Sequence, residues 1–130
     1  MSLRVSRKGY AVTCALAICS TLALAPAFGA DFPMGTFEGK QTPIAVSFDA
    51  KGQFRVMEGD TLEVMGTYAA TATELSLTDI QGPWACSKAS EKTGTYTWKY
   101  ENAALTLIKL TDKCEDRVKS LVGVAWQWHK

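Results

Sequence analysis

Gly66-Thr67-Tyr68-Ala69-Ala70-Thr71-Ala72-Thr73-Glu74-Leu75-Ser76-Leu77-Thr78-Asp79 decides the fold, because the chain repeats its design a few residues later. Gly94-Thr95-Tyr96 again leads past a polar turn into Leu105-Thr106-Leu107 and Thr111-Asp112, and Gly35-Thr36-Phe37 supplies a third opening. In each copy a glycine, where backbones can approach closely or bend, is followed two residues on by an aromatic that falls on the same strand face. The pattern predicts an antiparallel β meander with one apolar face. Such a sheet must be closed or covered, and closing it makes a barrel with an interior.

Working outward, strand signals recur at the short spacing of an all-β domain. Gly35–Gly39 is the first. Pro43–Phe48 alternates with Ile44, Val46 and Phe48 on one face, and Asp49-Ala50-Lys51-Gly52 turns the chain. Gln53–Glu58 brings back Phe54 and Val56, then Leu62, Val64, Gly66 and Tyr68 continue, and a fifth strand covers Glu74–Ile80. The beat breaks over Gln81–Thr93, which holds Gly82-Pro83, Trp84, Cys86, Lys88, Glu91 and Lys92 and reads as an ordered loop. Tyr96, Trp98 and Tyr100 resume the alternation, and Leu105 and Leu107 return it after a turn at Glu101–Ala103. Asp112–Leu121 lacks alternation and reads as a turn or short helix. Val122–His129 is the expected last strand, with Val122, Val124, Trp126 and Trp128 on one face. The total is a single eight-stranded antiparallel up-and-down barrel, the smallest number that closes comfortably around side chains or one small ligand.

The start of the chain reads differently. Arg4, Arg7 and Lys8 precede an uncharged apolar stretch, Tyr10–Ala25, and then Ala25-Pro26-Ala27-Phe28-Gly29-Ala30, small residues suited to cleavage. Residues 1–30 are therefore expected to be a secretory signal, leaving 31–130 as one barrel domain in the periplasm or outside the cell. About 100 residues remove roughly two-thirds of their unfolded surface from water, enough for one core. Of the 14 Lys and Arg, three lie in the leader, leaving 11 against 13 Asp and Glu. A mature charge near −2 argues against nucleic acid or an anionic membrane surface as partner. Beyond the leader only Cys86 and Cys114 remain, an even pair in an oxidising compartment, so a disulfide between them is expected.

Catalysis finds little support. His129, the single histidine, is next to last in the chain and falls opposite the Trp126 and Trp128 face, and a serine or cysteine nucleophile has no base. The pairs Asp60 with Glu63 and Asp112 with Asp116 sit among turn residues and read as solvated surface. No EF-hand spacing, phosphate loop or zinc cluster occurs, so neither metal nor cofactor is expected. The aromatics Phe37, Tyr68, Tyr96, Trp98, Tyr100, Trp126 and Trp128 are the candidates for an interior cavity. In a filled barrel they are core; in one open at an end, some of them line a site for an apolar ligand. Trp84 is the candidate for meeting a partner through the long loop. Arg117 is expected to cover a barrel end by stacking on Phe37 or Trp98, with Asp112 as its ion partner.

Gly35-Thr36-Phe37 resembles the Gly-x-Trp opening of lipocalins, with phenylalanine in place of tryptophan. Gly66-Thr67-Tyr68, Leu75 through Asp79, Cys86, Gly94-Thr95-Tyr96-Thr97-Trp98, Leu105-Thr106-Leu107, Asp112, Cys114 and Arg117 are similar to small exported bacterial lipocalin-like proteins. The resemblance implies an eight-stranded barrel holding a small apolar molecule. The expected function is thus non-catalytic binding of such a ligand. The alternative is a protein-interaction module, such as an inhibitor of a protease or lysozyme, working through the 81–93 loop or the barrel rim.

Overall fold

The computed structural model describes residues 32–130; the expected leader lies outside the described residues. Eight strands run in chain order: β1 (Gly35–Gly39), β2 (Ile44–Phe48), β3 (Gln53–Glu58), β4 (Thr61–Ala70), β5 (Glu74–Gln81), β6 (Thr93–Glu101), β7 (Ala104–Thr111) and β8 (Trp126–His129). One helix, α1 (Glu115–Leu121), precedes β8. Each strand pairs antiparallel with its neighbour, and β8 returns to β1 through Thr36–His129, Phe37–Trp128, Glu38–Gln127 and Gly39–Trp126, closing the barrel. The meander is the expected one.

The alternation that predicted the strands also sorts their side chains. Phe37, Val46, Phe48, Phe54, Val56, Val64, Tyr68, Leu75, Leu77, Tyr96, Leu105, Leu107 and Trp126 are buried inside. Polar residues such as Thr67, Thr106 and Lys99 lie outside. Three register shifts interrupt the period, leaving Glu63, Ile80 and Leu110 as extra residues. All three lie toward the end of the barrel that carries the β3–β4 turn, the β5–β6 loop and α1. Bulges sharpen strand bending and twist, which suits the rim of a small barrel.

The glycines of the repeat have steric roles. A Cβ on Gly66 would overlap the Thr78 carbonyl, and one on Gly94 would overlap the Asp112 carboxylate. These positions admit no side chain without displacing backbone or a buried charge.

The two barrel ends differ. At the base, Phe32 enters from before β1, its ring centroid 5.1 Å from Phe48, 5.6 Å from Tyr68 and 5.2 Å from Trp98. The Tyr68 hydroxyl donates to the Asp49 carbonyl at 2.5 Å, and Trp98 Nε1 donates to the Thr71 carbonyl at 3.0 Å. Two base turns are thereby tied to the aromatic plug. At the opposite end α1 lies across the rim, burying Arg117 and Leu121, four residues apart on one helical face.

The last strand is shorter than the alternation implied. Val122 accepts no strand partner; its amide closes α1 on the Val118 carbonyl at 2.9 Å, and the chain turns before β8 begins at Trp126. The helix has to be left and the chain redirected toward β1 before pairing can start. That consumes the residues whose hydrophobic period reads as strand. One consequence is that β8 meets β7 only through Ala104–Gln127 and Leu105–Trp126.

Candidate functional site

The interior offers almost no room. The void lined by Phe37, Phe48, Phe54, Leu77, Leu105 and Trp126 amounts to about 10 Å³, close to a single water-sized sphere. Open volume sits instead at the rim that carries α1. A groove of about 610 Å³ lies between the β5–β6 loop and α1, bounded by Trp84, Lys88 and Glu91 on one side and Asp116, Lys119 and Leu121 on the other. Its floor is apolar, made by Ile44, Phe54, Val56 and Val64. That volume falls within the roughly 300–1,000 Å³ typical of small-ligand sites.

Buried charge fixes both walls of this groove. Arg117 Nε and NH2 donate to the two oxygens of Asp112 at 2.7 and 2.6 Å, and NH1 lies 3.0 Å from Asp79 Oδ2. The remaining guanidinium donors reach the carbonyls of Lys92 at 3.1 Å and Glu91 at 2.8 Å, inside the long loop. The guanidinium thus makes four hydrogen bonds, to Asp112 and to the loop, and holds Asp79 as an ion pair. Tyr96 donates its hydroxyl to Asp112 Oδ2. The expected Arg117–Asp112 pair is present. The expected stacking on Phe37 or Trp98 is replaced by these oxygen contacts, because two carboxylates and two carbonyls converge where the ring was to be.

The same carboxylates hold the cysteines. Cys86 N–H donates to Asp79 Oδ2 and Cys114 N–H to Asp112 Oδ1, both at 2.9 Å. The Cys86–Cys114 disulfide, with Cα atoms 6.3 Å apart across a separation of 28 residues, joins loop to helix beside them. Covalent bond and ion pair therefore clamp the same two segments.

The electrostatics follow. Burial pushes the Tyr96 hydroxyl up, reinforced by its hydrogen bond to Asp112 and that residue's charge. Burial alone would raise Asp112, but hydrogen bonds from Arg117, Tyr96 and the Cys114 amide outweigh it and hold the carboxyl below its ordinary value. Arg117 is likewise held in its charged form, since Asp112 and Asp79 overcome the effect of burial.

The seven aromatic candidates separate into four groups. Phe37 and Trp126 face the interior void. Tyr68 and Trp98 belong to the base plug. Tyr96 is consumed by the ion network. Tyr100 and Trp128 are 38% and 40% exposed, although Tyr100 still sets its ring edge-on against the interior Phe37, centroids 6.2 Å apart. Both lie at the base end of the barrel, where side chains on the inward parity are only partly covered. Trp84 is 43% exposed and lines the groove. His129 is exposed, 3.5 Å from Glu38.

Of the acidic residues read as solvated, Glu63 and Asp112 are buried. Among the described residues, no group of His, Cys, Asp and Glu is arranged to hold a metal ion.

Sequence reasoning missed Phe32 and Asp79. Phe32 stands before the first alternation and carries no periodic signal. Asp79 was visible as the polar end of the Leu75, Leu77 inward series, a charged residue at an interior position. No family model, curated protein or solved structure matches the chain. What can be said of its role rests on this geometry.

Proposed function

We propose that this protein is a non-catalytic exported binding protein of lipocalin-like type, whose ligand occupies the open end of the barrel between the 81–93 loop and α1. The observation that carries the reading is the contrast between an interior void of about 10 Å³ and a rim groove of about 610 Å³. The apolar floor provides the binding surface, and the charged clamp keeps the groove walls in place without ligand. Preorganised walls reduce the ordering cost of binding. Export is supported by the leader-like first thirty residues and by the cysteine pair.

A second reading has one specific observation in its favour. Trp84, exposed on a loop anchored by the disulfide, has the character of an interface anchor for a partner protein. The two readings are separated by native mass spectrometry of the protein purified from its own host, followed by tryptophan fluorescence on any molecule retained. A retained small molecule whose emission change disappears in Trp84→Phe places the ligand in the groove. A change that survives Trp84→Phe and disappears in Trp126→Phe places it in the interior and overturns the groove reading. A clean apo mass together with a stoichiometric protein partner lost on Trp84→Ala favours the second reading.

A further inference from the structure

The rim groove sets an exposed indole among polar side chains that have nothing to bond. Lys88, Glu91, Asp116 and Lys119 all line it, and among the described residues none of them takes part in an ion pair or a side-chain hydrogen bond. Ser87, exposed on the loop wall, is likewise unbonded, and Ser120 donates its hydroxyl to the Asp116 carbonyl at 2.8 Å, which leaves its oxygen able to accept. Two ammonium groups against two carboxylates give this wall no net charge. The clamp of Asp79, Asp112 and Arg117 lies behind it, each residue 9% exposed or less, so its charges are out of an occupant's reach.

The apolar lining is also unequally available. Phe54, Val56, Val64 and Leu121 are 7% exposed or less, whereas Pro83 and Trp84 are exposed and Ile44 and Ala85 half-buried. An occupant therefore finds its largest apolar contact on the face of Trp84. A hydrocarbon filling the groove would strip water from the four charged head groups and return no hydrogen bonds. An ion of either sign would meet as many like charges as opposite ones. A neutral polyhydroxylated molecule accepts from Lys88 and Lys119, donates to Glu91 and Asp116, and bonds either way with Ser87. If its carbons form a ring, the C–H groups of one ring face, positive at hydrogen, rest on the negative face of the indole. We infer that the groove takes a neutral saccharide, one pyranose ring stacked on Trp84 and its hydroxyls held by Ser87, Lys88 and Glu91 of the loop and by Asp116 and Lys119 of α1. This rests on the proposed groove reading and specifies its ligand class.

Three neutral trisaccharides of different linkage and substitution, maltotriose, cellotriose and chitotriose, test this beside anionic trigalacturonate, the cationic glucosamine trimer and phenethyl alcohol. Each is titrated into isotopically labelled protein by NMR, following the Trp84 and Trp128 indoles and the Ser87 and Lys119 amides. At least one neutral trisaccharide is expected to shift Trp84, Ser87 and Lys119 together, with a dissociation constant of about 1 mM or lower, and to bind about tenfold more tightly than the charged trimers and the alcohol. Trp84→Ala, which removes an exposed side chain, is expected to weaken that binding about tenfold, and Trp84→Phe to restore part of it. Equal or tighter binding of a charged trimer or of phenethyl alcohol at Trp84 overturns the saccharide inference and leaves the groove reading standing. Sugar binding undiminished in Trp84→Ala, or one that shifts Trp128 and not Trp84, overturns it as well. No shift at Trp84 with any probe overturns both.

Discussion

Arg117 grips Asp112 through both carboxylate oxygens, at 2.7 Å from Nε and 2.6 Å from NH2, and this fork spans the join between β7 and α1. A planar guanidinium can also reach Asp79 and two loop carbonyls from the same position; an ammonium cannot. Arg117→Lys keeps the charge but strands several acceptors in a buried site. Stability is expected to fall on the order of 3 kcal/mol by chemical denaturation. A loss within experimental error of zero would mean that the network contributes nothing to folding.

Reduction attacks the same join by another route. The disulfide closes a loop of 28 residues, worth about 3–4 kcal/mol in the chain-entropy account. Cys86→Ser, and separately reduction of the wild-type protein, should lower the thermal midpoint substantially. Because bond and ion network constrain the same two segments, Cys86→Ser combined with Arg117→Lys should cost a different amount from the summed single losses. Simple additivity would show that the two devices act independently.

Stability should be lost at both extremes of pH, for opposite reasons. Asp112 titrates below its ordinary 3.8 when folded, so its contribution is complete above about pH 4 and disappears as pH falls through the folded value. Tyr96 titrates above its ordinary 10.0, so its contribution is complete below pH 10 and is lost as pH rises beyond it. Tyr68, raised by burial and by the charge of Asp49, adds to the alkaline side. Thermal midpoints measured across pH should show a less steep acid limb in Asp112→Asn and a less steep alkaline limb in Tyr96→Phe. Limbs parallel to wild type would remove these two groups from the account.

Phe32 closes the base although no strand contains it. Its ring meets Phe48, Tyr68 and Trp98, so Phe32→Ala should cost on the order of 3 kcal/mol and shift Trp98 emission toward that of a solvated indole. Unchanged emission with unchanged stability would mean that the base is closed without it.

The contrast between Phe32 and the strands shows what was legible. Period-two alternation encodes inside and outside wherever a strand is paired on both sides, and from Val46 to Tyr96, and again at Leu105 and Leu107, it located the core correctly. It overstates burial at the base end, where Tyr100 and Trp128 keep the inward parity yet stay partly exposed, and it misleads after α1, where Val122 and Val124 keep the parity outside any strand. The clamp was half visible. Arg117 and Asp112 lie five positions apart and announced themselves, whereas Asp79 comes from a distant strand, and only the barrel closure brings it to 3.0 Å from the guanidinium. The groove itself has no sequence signal, since it is the space left between a loop and a helix whose mutual placement is tertiary.

The β6–β7 turn is built from Asn102 and Ala103, with φ of 53° and 60°. Two successive left-handed residues are what a two-residue hairpin needs to match strand twist, and asparagine followed by glycine is the favoured solution. Here alanine holds the second place, although its Cβ disfavours this region by roughly 1–2 kcal/mol. Glycine would relieve that cost and return about 0.5–1 kcal/mol as entropy lost on folding. Ala103→Gly should therefore gain about 0.5–1 kcal/mol, a rise near 4 °C in the thermal midpoint for a domain of this size. Ala103 is exposed, and its carbonyl accepts from Trp128 N–H at 2.9 Å through backbone alone, so the substitution removes no packing. A fall in the midpoint would show that the turn is not strained at Ala103, and that the β6–β7 register depends on the alanine side chain.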